Sequence, residues 1–521
     1  MAKQQESRAN ELSALIVKQW LPQWDKVIWN PKQRQAEPSR KHFYLFSLPA
    51  TLLRRLSGIQ RRSTQDAVPR AEDTGIQRFH DQERSKEIGE YVRFGYPWSD
   101  LSEKKRSAIE FADLQKPGWL PTAIIVNIAS AGTKRRKLEL SQDDTIRVDD
   151  ADDGRRATLK LPEAALRPAW QPKGLPPIEI IDGQHRLWAF TNDDSSEFEL
   201  PVVAFVDLDI SWQAYLFWTI NIKPKRINAS LAFDLYPLLR SEEWLDKFSG
   251  HPIYRETRAQ ELVEALWSHP NSPWYQRINM LGESREQMND PRSMVSQSSW
   301  IRSLMATYVK SWGRGSRVLG GLFGGTADSD DGALAWTRTQ QAAFLIYAWQ
   351  QIEHTIGESQ SSWARAIRNV DADSSSGGRN PAFYSKFSLF TTDPGVRAFL
   401  AVTNDLCYLR REELALADWI APESASAVDQ EGVNAALASL RRQNVATDLK
   451  DVAARLASYD WRTSTAPGLS AEQQRSKRAL RGSGGYRELR RDLLAHLASG
   501  KGALATAAQE VSAQARGAKE S

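Results

Sequence analysis

Apolar residues recur along this chain with two different spacings. Residues 42–56 indicate a strand that runs into a helical turn, and further apolar runs of strand length occur at residues 120–129, 178–181 and 199–209. Stretches with helical spacing lie between these runs. Strands that alternate with helices are typical of an α/β unit. We therefore predict an α/β domain over residues 41–250.

Beyond residue 250 the pattern changes to long stretches with helical spacing. These stretches are residues 256–268, 297–313, 333–357, 394–416, 430–458 and 471–499. They predict a mainly α-helical domain over residues 251–500. Residues 1–40 are expected to form one amphipathic helix followed by a linker. The alanine-rich segment 501–521 has low complexity and predicts a flexible tail.

Composition excludes several classes of protein and site. Cys407 is the single cysteine of 521 residues, so intramolecular disulfides and multi-cysteine metal sites are ruled out. The seven histidines are scattered, which argues against a histidine-based metal centre, and we predict no resident metal site. No apolar run reaches the length of a membrane span, and the first residues lack the apolar core of a secretory signal. These features predict a cytoplasmic protein without a membrane partner and leave its oligomeric state open.

Positive charge is concentrated near the end of the chain. The net charge is +5, whereas residues 462–521 carry 11 Lys and Arg against 5 Asp and Glu, or 11 − 5 = +6. A basic segment on a nearly neutral chain fits a polyanionic partner such as DNA, with a solvated helix face as the alternative. Tyr486 adds an aromatic ring to this segment. The candidate nucleic-acid contacts here are Arg475, Lys477, Arg478, Arg481, Arg487, Arg490 and Arg491.

The segment PPIEIIDGQHRLWAF, residues 176–190, places consecutive polar residues directly after a buried strand. A turn between a strand and a helix is where α/β proteins bind ligands. Gly183 allows close approach of the backbone, and Arg186 is suited to a phosphate. Asp182 is suited to a ribose hydroxyl or a metal-bound water, and His185 to donating to phosphate or transferring a proton. The alternative is a solvent-facing helix start with Asp182 as its N-cap.

Other phosphate-binding and nuclease patterns are missing from the sequence. No GxxxxGK[ST] string occurs, so the chain is not a P-loop enzyme. The glycines of RVLGGLFGG lack the lysine and the preceding strand that such a loop requires. No recognisable set of nuclease active-site residues follows a predicted strand. The DGQHR segment is therefore the main candidate for chemistry.

DGQHRLWAF resembles the signature of the DGQHR-domain family, bacterial proteins that include the DNA-modification protein DndB and its relatives in DNA-defence islands. TGIQR, PTAIIVNI and LFWTINIKPKRINASLAFDLYPLLR fall where this family carries its other blocks. The resemblance covers roughly residues 40–250. The family is distantly similar to the nucleotide-binding ParB N-terminal domain and to restriction NTPases with a DGQQR string. It implies a ParB-like α/β domain ahead of the helical half.

The resemblance also implies roles for individual residues. The residues that it would place at a nucleotide are Gln77, Arg78, Asp182, Gly183, Gln184, His185, Arg186 and Asn221. Asp182 and His185 would be the catalytic candidates, and an NTP with Mg²⁺ the implied ligand. His185 replaces the second glutamine of DGQQR, so the hydrolytic role does not transfer automatically. Basic residues that follow Asn221 would extend the nucleic-acid contacts, namely Lys223, Lys225 and Arg226.

Three hypotheses follow from these expectations. The first is a nucleotide-binding component of a bacterial DNA-modification or phage-defence system, with or without NTP hydrolysis and with DNA and other modification or restriction proteins as partners. The second is a DndB-like DNA-binding transcriptional regulator without catalysis. The third is a scaffold that assembles modification enzymes. Under the first, Asp182→Ala and Arg186→Ala should abolish NTP binding and leave a cooperative fold, because both residues are expected at a surface turn.

Overall fold

The computed structural model describes most of the chain as two compact units. The described residues are 10–31, 36–59, 81–190, 198–222, 228–247, 251–283, 294–310, 319–324, 334, 336–370, 379–422, 426–482 and 484–517. Unit 1 spans Met1–Arg226 and unit 2 spans Ile227–Ser521. Residues 228–247, which the sequence pattern assigns to the α/β domain, thus belong to unit 2. Within the described ranges, no helix has the length and apolar character to cross a membrane.

Unit 1 is an α/β unit built on one mixed sheet. Its strands are β1 (Glu11–Lys18), β2 (His42–Pro49), β3 (Ser57–Gly58), β4 (Ile124–Ile128), β5 (Lys134–Arg135), β6 (Leu138–Glu139), β7 (Arg147–Asp150), β8 (Arg156–Lys160), β9 (Ile178–Asp182) and β10 (Glu199–Val206). Its helices are α1 (Ala50–Leu56), α2 (Gln82–Phe94), α3 (Glu103–Arg106), α4 (Gln184–Leu187) and α5 (Ile210–Ile222). The four strands that the apolar runs predict are confirmed as β2, β4, β9 and β10.

Eight strands form the main sheet, in the order β3-β9-β4-β10-β2-β1-β8-β7. β10 is parallel to β4 and antiparallel to β2. β9, which leads into the DGQHR segment, pairs antiparallel with β4 and parallel with the short β3. The polar segment that follows β9 therefore leaves the sheet beside the first residues of β4.

The expected N-terminal helix is instead a strand, β1. Its residues pair antiparallel with β2 on one side and with β8 on the other. Ala14 is buried, and Leu12 and Ile16 pack against the same core. This alternation satisfies the two-residue period of a strand, and pairing with β2 and β8 places the alternate apolar side chains against the core of the sheet.

A buried polar network ties α5 to β9. The Glu179 carboxylate accepts hydrogen bonds from Arg135 Nε (2.8 Å), Asn127 Nδ2 (3.0 Å) and Gln213 Nε2 (3.0 Å). Asn127 Oδ1 in turn accepts from the backbone N–H of Leu208 at 2.8 Å. A buried carboxylate is tolerated because it is paired and hydrogen-bonded in this way. The network fixes the start of α5 relative to the sheet.

Unit 2 is mainly helical, as predicted. Its helices are α6 (Ala229–Asp234), α7 (Tyr236–Leu239), α8 (Glu243–Asp246), α9 (Pro252–Ser268), α10 (Gln297–Ala306), α11 (Arg338–Glu358), α12 (Ser362–Val370), α13 (Pro381–Tyr384), α14 (Asp393–Leu409), α15 (Gln430–Leu440), α16 (Asn444–Leu456), α17 (Ala471–Arg478), α18 (Gly485–Ala498) and α19 (Ala503–Gly517). A short parallel pair joins β11 (Ile278–Asn279) to β12 (Val295–Ser296). Many of the tryptophans are core residues, for example Trp274, Trp300 and Trp349, whose rings contact one another.

The prediction of a flexible tail over residues 501–521 is wrong for most of this segment, because residues 503–517 form α19. Leu504, Ala508 and Val511 of this helix are buried in the core of unit 2. Their spacing of four and three residues places them on one helix face, and the alanine-rich composition favours a helix. Low complexity here reflects high helix propensity, and the apolar face anchors the helix.

Candidate functional site

The DGQHR segment forms a tight turn from β9 into the single helical turn α4. Gly183 is the N-cap of α4 and has a φ of +95°, in the left-handed region. A Cβ atom at this position would lie 2.8 Å from Ile124 Cδ1 and 3.1 Å from Arg186 Nη2. Both the positive φ and the close neighbours therefore require glycine. The N-cap is Gly183, so the alternative interpretation with Asp182 in that position is wrong.

Asp182 connects the turn to α5. One oxygen of its carboxylate accepts from Arg186 Nη2 at 2.9 Å and the other accepts from Asn221 Nδ2 at 3.1 Å. Asp182 and Asn221, which are 39 positions apart in sequence, are thus brought together. Both oxygens of the carboxylate have a partner. Asp182 is therefore held in a fixed orientation at the end of β9.

Arg186 is bound largely within the protein. Its Nη1 donates to the backbone carbonyls of Thr122 (2.7 Å) and Ala123 (3.1 Å), in addition to the contact with Asp182. The side chains of Arg186 and Asp182 are each only 18% exposed. Burial lowers the pKa of Arg186, and the nearby carboxylate of Asp182 opposes that effect. Arg186 was expected at a surface turn, but its guanidinium is mostly buried and cross-links β9, α4 and the segment before β4.

His185 lies against the beginning of α2. Its Nε2 accepts a hydrogen bond from the backbone N–H of Asp81 at 3.3 Å, and Asp81 caps α2 by accepting from Arg84 N–H. Because Nε2 is an acceptor in this arrangement, the neutral ring carries its proton on Nδ1. The N-terminal end of a 13-residue helix, with its partial positive charge, thus adjoins the DGQHR turn. Arg84 lies close enough to Arg186 to lower its pKa further.

Gln184 differs from its neighbours in the motif because its side chain is buried. It is 5% exposed, and its Oε1 has no hydrogen-bond partner among the described residues. Asp182, Gly183, His185 and Arg186 are all partly exposed. Several residues implied by the resemblance lie outside the described residues: Gln77, Arg78, Lys223, Lys225 and Arg226. Among the described residues, no group of three or more His, Cys, Asp or Glu side chains could hold a metal ion.

A second candidate site is a basic cleft in unit 2. It consists of two cavities, of about 840 and 660 Å³, that share Arg397 and Tyr486. The Arg397 guanidinium lies 3.9 Å from the centroid of the Tyr486 ring. The cations that line the smaller cavity are Arg302, Lys386, Arg397, Lys477 and Arg481. Those that line the larger cavity are Lys310, Arg397, Arg487, Arg490 and Arg491. We call this pair of cavities the basic cleft.

The predicted basic residues differ in how available they are. Lys477 is half-buried and donates to the backbone carbonyl of Asp460 at 2.6 Å, and Arg490 pairs with Asp405 at 2.6 Å. Arg491 pairs with Glu488 but remains largely exposed. Arg481 and Arg487 are exposed and line the cleft. The exposed residues Arg475 and Arg478 on α17 line neither cavity.

Sequence reasoning missed the other half of this cleft. Arg302 comes from α10, Lys386 from the segment after α13, and Arg397 from α14. The Nε of Arg397 and the Oγ of Ser464 are buried without a hydrogen-bond partner among the described residues. Asp393 is the single carboxylate in the lining of the smaller cavity, and it accepts from Ser299 Oγ at 2.6 Å. The cleft therefore combines excess positive charge with polar groups that lack partners.

Comparison with known proteins adds no relatives. No family model, no curated protein and no solved structure matches the chain. The resemblance to the DGQHR-domain family therefore depends on the sequence blocks described above.

Proposed function

We propose that this chain is a DNA-associated component of a bacterial DNA-modification or phage-defence system and that it contacts DNA phosphates through the basic cleft. The convergence of cations from α10, α14 and the α17–α18 segment on one cleft carries this proposal. Arg and Lys side chains supply most phosphate contacts in protein–DNA complexes. The resemblance to DndB and its relatives supplies the biological setting.

The composition of the cleft favours an anionic ligand such as phosphate over a neutral or cationic ligand. Five cations against one carboxylate line the smaller cavity. The guanidinium and ammonium groups that line the cavity are charged donors, for which a phosphate oxygen is a suitable acceptor. The Tyr486 ring, stacked under Arg397, holds that guanidinium in place.

Salt titration of DNA binding tests the cleft. The affinity of the full chain for a duplex should fall linearly with the logarithm of salt concentration, with a slope of about −0.9 per phosphate contact. The double variant Arg302→Ala/Lys386→Ala should weaken binding and reduce the magnitude of that slope by about 2. Fluorescence anisotropy with a labelled duplex measures both quantities.

Arg475→Ala/Arg478→Ala is the matched control, because it removes two exposed cations of the same basic sequence region that line neither cavity. Its affinity and salt slope should stay near those of the wild type. If the control lowers the slope and Arg302→Ala/Lys386→Ala does not, phosphate contact lies on α17 and the cleft assignment is wrong.

Nucleotide binding at the DGQHR turn is the second part of the proposal. It is supported by the proximity of Asp182, His185 and Asn221 to the N-terminal end of α2, where backbone N–H groups and Arg84 favour an anion. In this arrangement His185 and Arg84 would contact phosphate. Arg186 would position Asp182 and the turn, because its hydrogen bonds are made within the protein.

Calorimetric titration with ATP, GTP and CTP in the presence of Mg²⁺ tests this part. His185→Ala and Arg84→Ala should each weaken NTP binding about tenfold, equivalent to the loss of one charge-assisted hydrogen bond, with little change in stability. Arg186→Ala should lose binding and also lower the free energy of unfolding by about 1 kcal/mol, because it removes the hydrogen bonds to Asp182 and to the carbonyls of Thr122 and Ala123. Lys86→Ala, an exposed cation on the same helix, is the control.

A DNA-binding regulator without catalysis is the alternative function. It is favoured by the bonding of the Asp182 carboxylate, which holds Arg186 and Asn221 in place, a positioning role that needs no catalysis. This function requires the basic cleft and no nucleotide. Absence of NTP binding by the wild type, with or without DNA, together with intact duplex binding would establish this alternative over the first.

A further inference from the structure

A pocket lined by tryptophans lies in unit 1, where β2 begins and α5 starts. It has a volume of about 420 Å³. Four tryptophans and a tyrosine form much of its wall: Trp20, Trp24, Trp29, Trp212 and Tyr215. Their rings contact one another in sequence, with centroid distances of 5.3 Å for Trp20–Trp24, 6.2 Å for Trp20–Trp29, 5.9 Å for Trp29–Trp212 and 5.6 Å for Trp212–Tyr215. We call this feature the tryptophan pocket.

The polar edges of two of these rings are fixed by hydrogen bonds. Trp20 Nε1 donates to Asp25 Oδ1 at 2.9 Å, and Trp212 Nε1 donates to the carbonyl of Ala36 at 2.7 Å. At the same time Trp24 is 40% exposed and Tyr215 is 54% exposed. The wall therefore combines two rings fixed by hydrogen bonds with two rings that are accessible to solvent. Because indole rings normally gain stability from burial, such a wall is a preformed surface for a flat apolar ligand.

Charge in the lining restricts the ligand further. Arg40, Lys41 and His42 line the pocket, and no Asp or Glu is among its lining residues. Each of these side chains contacts a carboxylate just outside the lining: Arg40 and His42 contact Asp150, and Lys41 pairs with Asp25 and Glu37. Lys41 Nζ lies 5.3 Å from the Trp20 ring centroid and pairs with Asp25 at 2.6 Å, and both partners are about half exposed. Exposed pairs contribute little stability, so an incoming phosphate can compete for Lys41.

We infer that the tryptophan pocket binds an unpaired nucleobase of a nucleic-acid strand, stacked on the tryptophan rings with its phosphate near Lys41. Stacking of bases on aromatic side chains is the general mode by which proteins hold single strands. The size of the pocket is in the range of small-molecule sites and accommodates a base with its sugar. A duplex keeps its bases paired and stacked, so this site discriminates single-stranded or extruded bases from intact duplex.

The tryptophan pocket is separate from the two sites proposed above. None of the residues assigned to the basic cleft or to the DGQHR turn lines it. Trp212 and Asn221 lie on the same helix, nine positions apart, which corresponds to about 13 Å along the axis. The inference therefore stands or fails without the nucleotide site.

Anisotropy titration with a labelled 12-nucleotide oligothymidylate and with a duplex of equal length tests the inference. The wild type should bind the single strand. Trp24→Ala should weaken single-strand binding about tenfold, Trp24→Phe should retain most of the affinity, and duplex binding should stay within about twofold. Lys41→Ala should reduce the salt slope for the single strand by about 0.7, the value for one phosphate contact.

Trp119→Ala is the matched control, because it removes an exposed tryptophan of unit 1 (74% exposed) that does not line the pocket. Single-strand affinity that is unchanged in both Trp24→Ala and Tyr215→Ala would overturn the inference. So would equal weakening of single-strand and duplex binding, or no single-strand binding by the wild type. If Arg302→Ala/Lys386→Ala loses only duplex binding and keeps single-strand binding, the duplex contact is assigned to the basic cleft and single-strand binding to the tryptophan pocket.

Discussion

Gly183 shows how one residue makes the DGQHR turn possible. Its φ of +95° is costly for a residue with a side chain, and its neighbours leave no room for a Cβ atom. Gly132 has a comparable φ of +79° but has no heavy atom within 4 Å of an added Cβ. The two positions therefore separate the conformational cost of a positive φ from the cost of steric contact.

We expect Gly183→Ala to lower the free energy of unfolding by about 2–3 kcal/mol and Gly132→Ala by about 1 kcal/mol, because only the former adds a clash to the backbone strain. Urea denaturation of the two variants measures the difference. Equal destabilisation would mean that Ile124 and Arg186 move aside without cost, and the turn would then be less tightly packed than the distances indicate.

The residues of the two sites differ in how far sequence could reveal them. Asp182, Gly183, His185 and Arg186 are consecutive or nearly so, and their polarity after a buried strand marks them directly. The internal bonding of Arg186 could not be predicted, because its carbonyl partners lie more than 60 positions earlier in the chain. The cations of the basic cleft that were missed are scattered in sequence: Arg302 and Arg397 lie on two different helices, and Lys310 and Lys386 lie in segments between helices.

β1 and α19 illustrate why elements near the ends of the chain were misassigned. Leu12, Leu15 and Ile16 have the three- and four-residue spacing of a helix, while Leu12, Ala14 and Ile16 have the alternation of a strand. Pairing with β2 and β8 decides between the two, and that pairing involves residues that are distant in sequence. In α19 the low complexity concealed a regular apolar face, because alanine serves both as a helix former and as a small core residue.

Elements with one dominant period were predicted well. The runs that became β4, β9 and β10 are rich in β-branched residues, and many of their side chains are buried in the sheet, so their sequence favours a strand over a helix. Most long helices of unit 2 were predicted, but α12 and α19 were not. The predicted stretches 430–458 and 471–499 each contain two helices, α15 with α16 and α17 with α18. Periodicity continues across the break between two such helices and does not reveal it.

Among the described residues, each unit has a large hydrophobic core of its own. The basic cleft is formed entirely by residues of unit 2, and the DGQHR turn and the tryptophan pocket entirely by residues of unit 1. A unit with its own core and its own site is expected to fold and to bind its ligand without the other. Under the proposed function, duplex binding is therefore separable from binding of a nucleotide or an unpaired base.

We expect a fragment of residues 227–521 to unfold cooperatively and to bind duplex DNA within about threefold of the full chain, with the same salt slope, because it retains the core and all cations of the cleft. It should not bind NTP or show preference for a single strand. Circular dichroism during urea denaturation, followed by anisotropy titration of the same preparation, measures each property. A folded fragment that has lost duplex binding would place the DNA contact in unit 1 and contradict the assignment of the basic cleft.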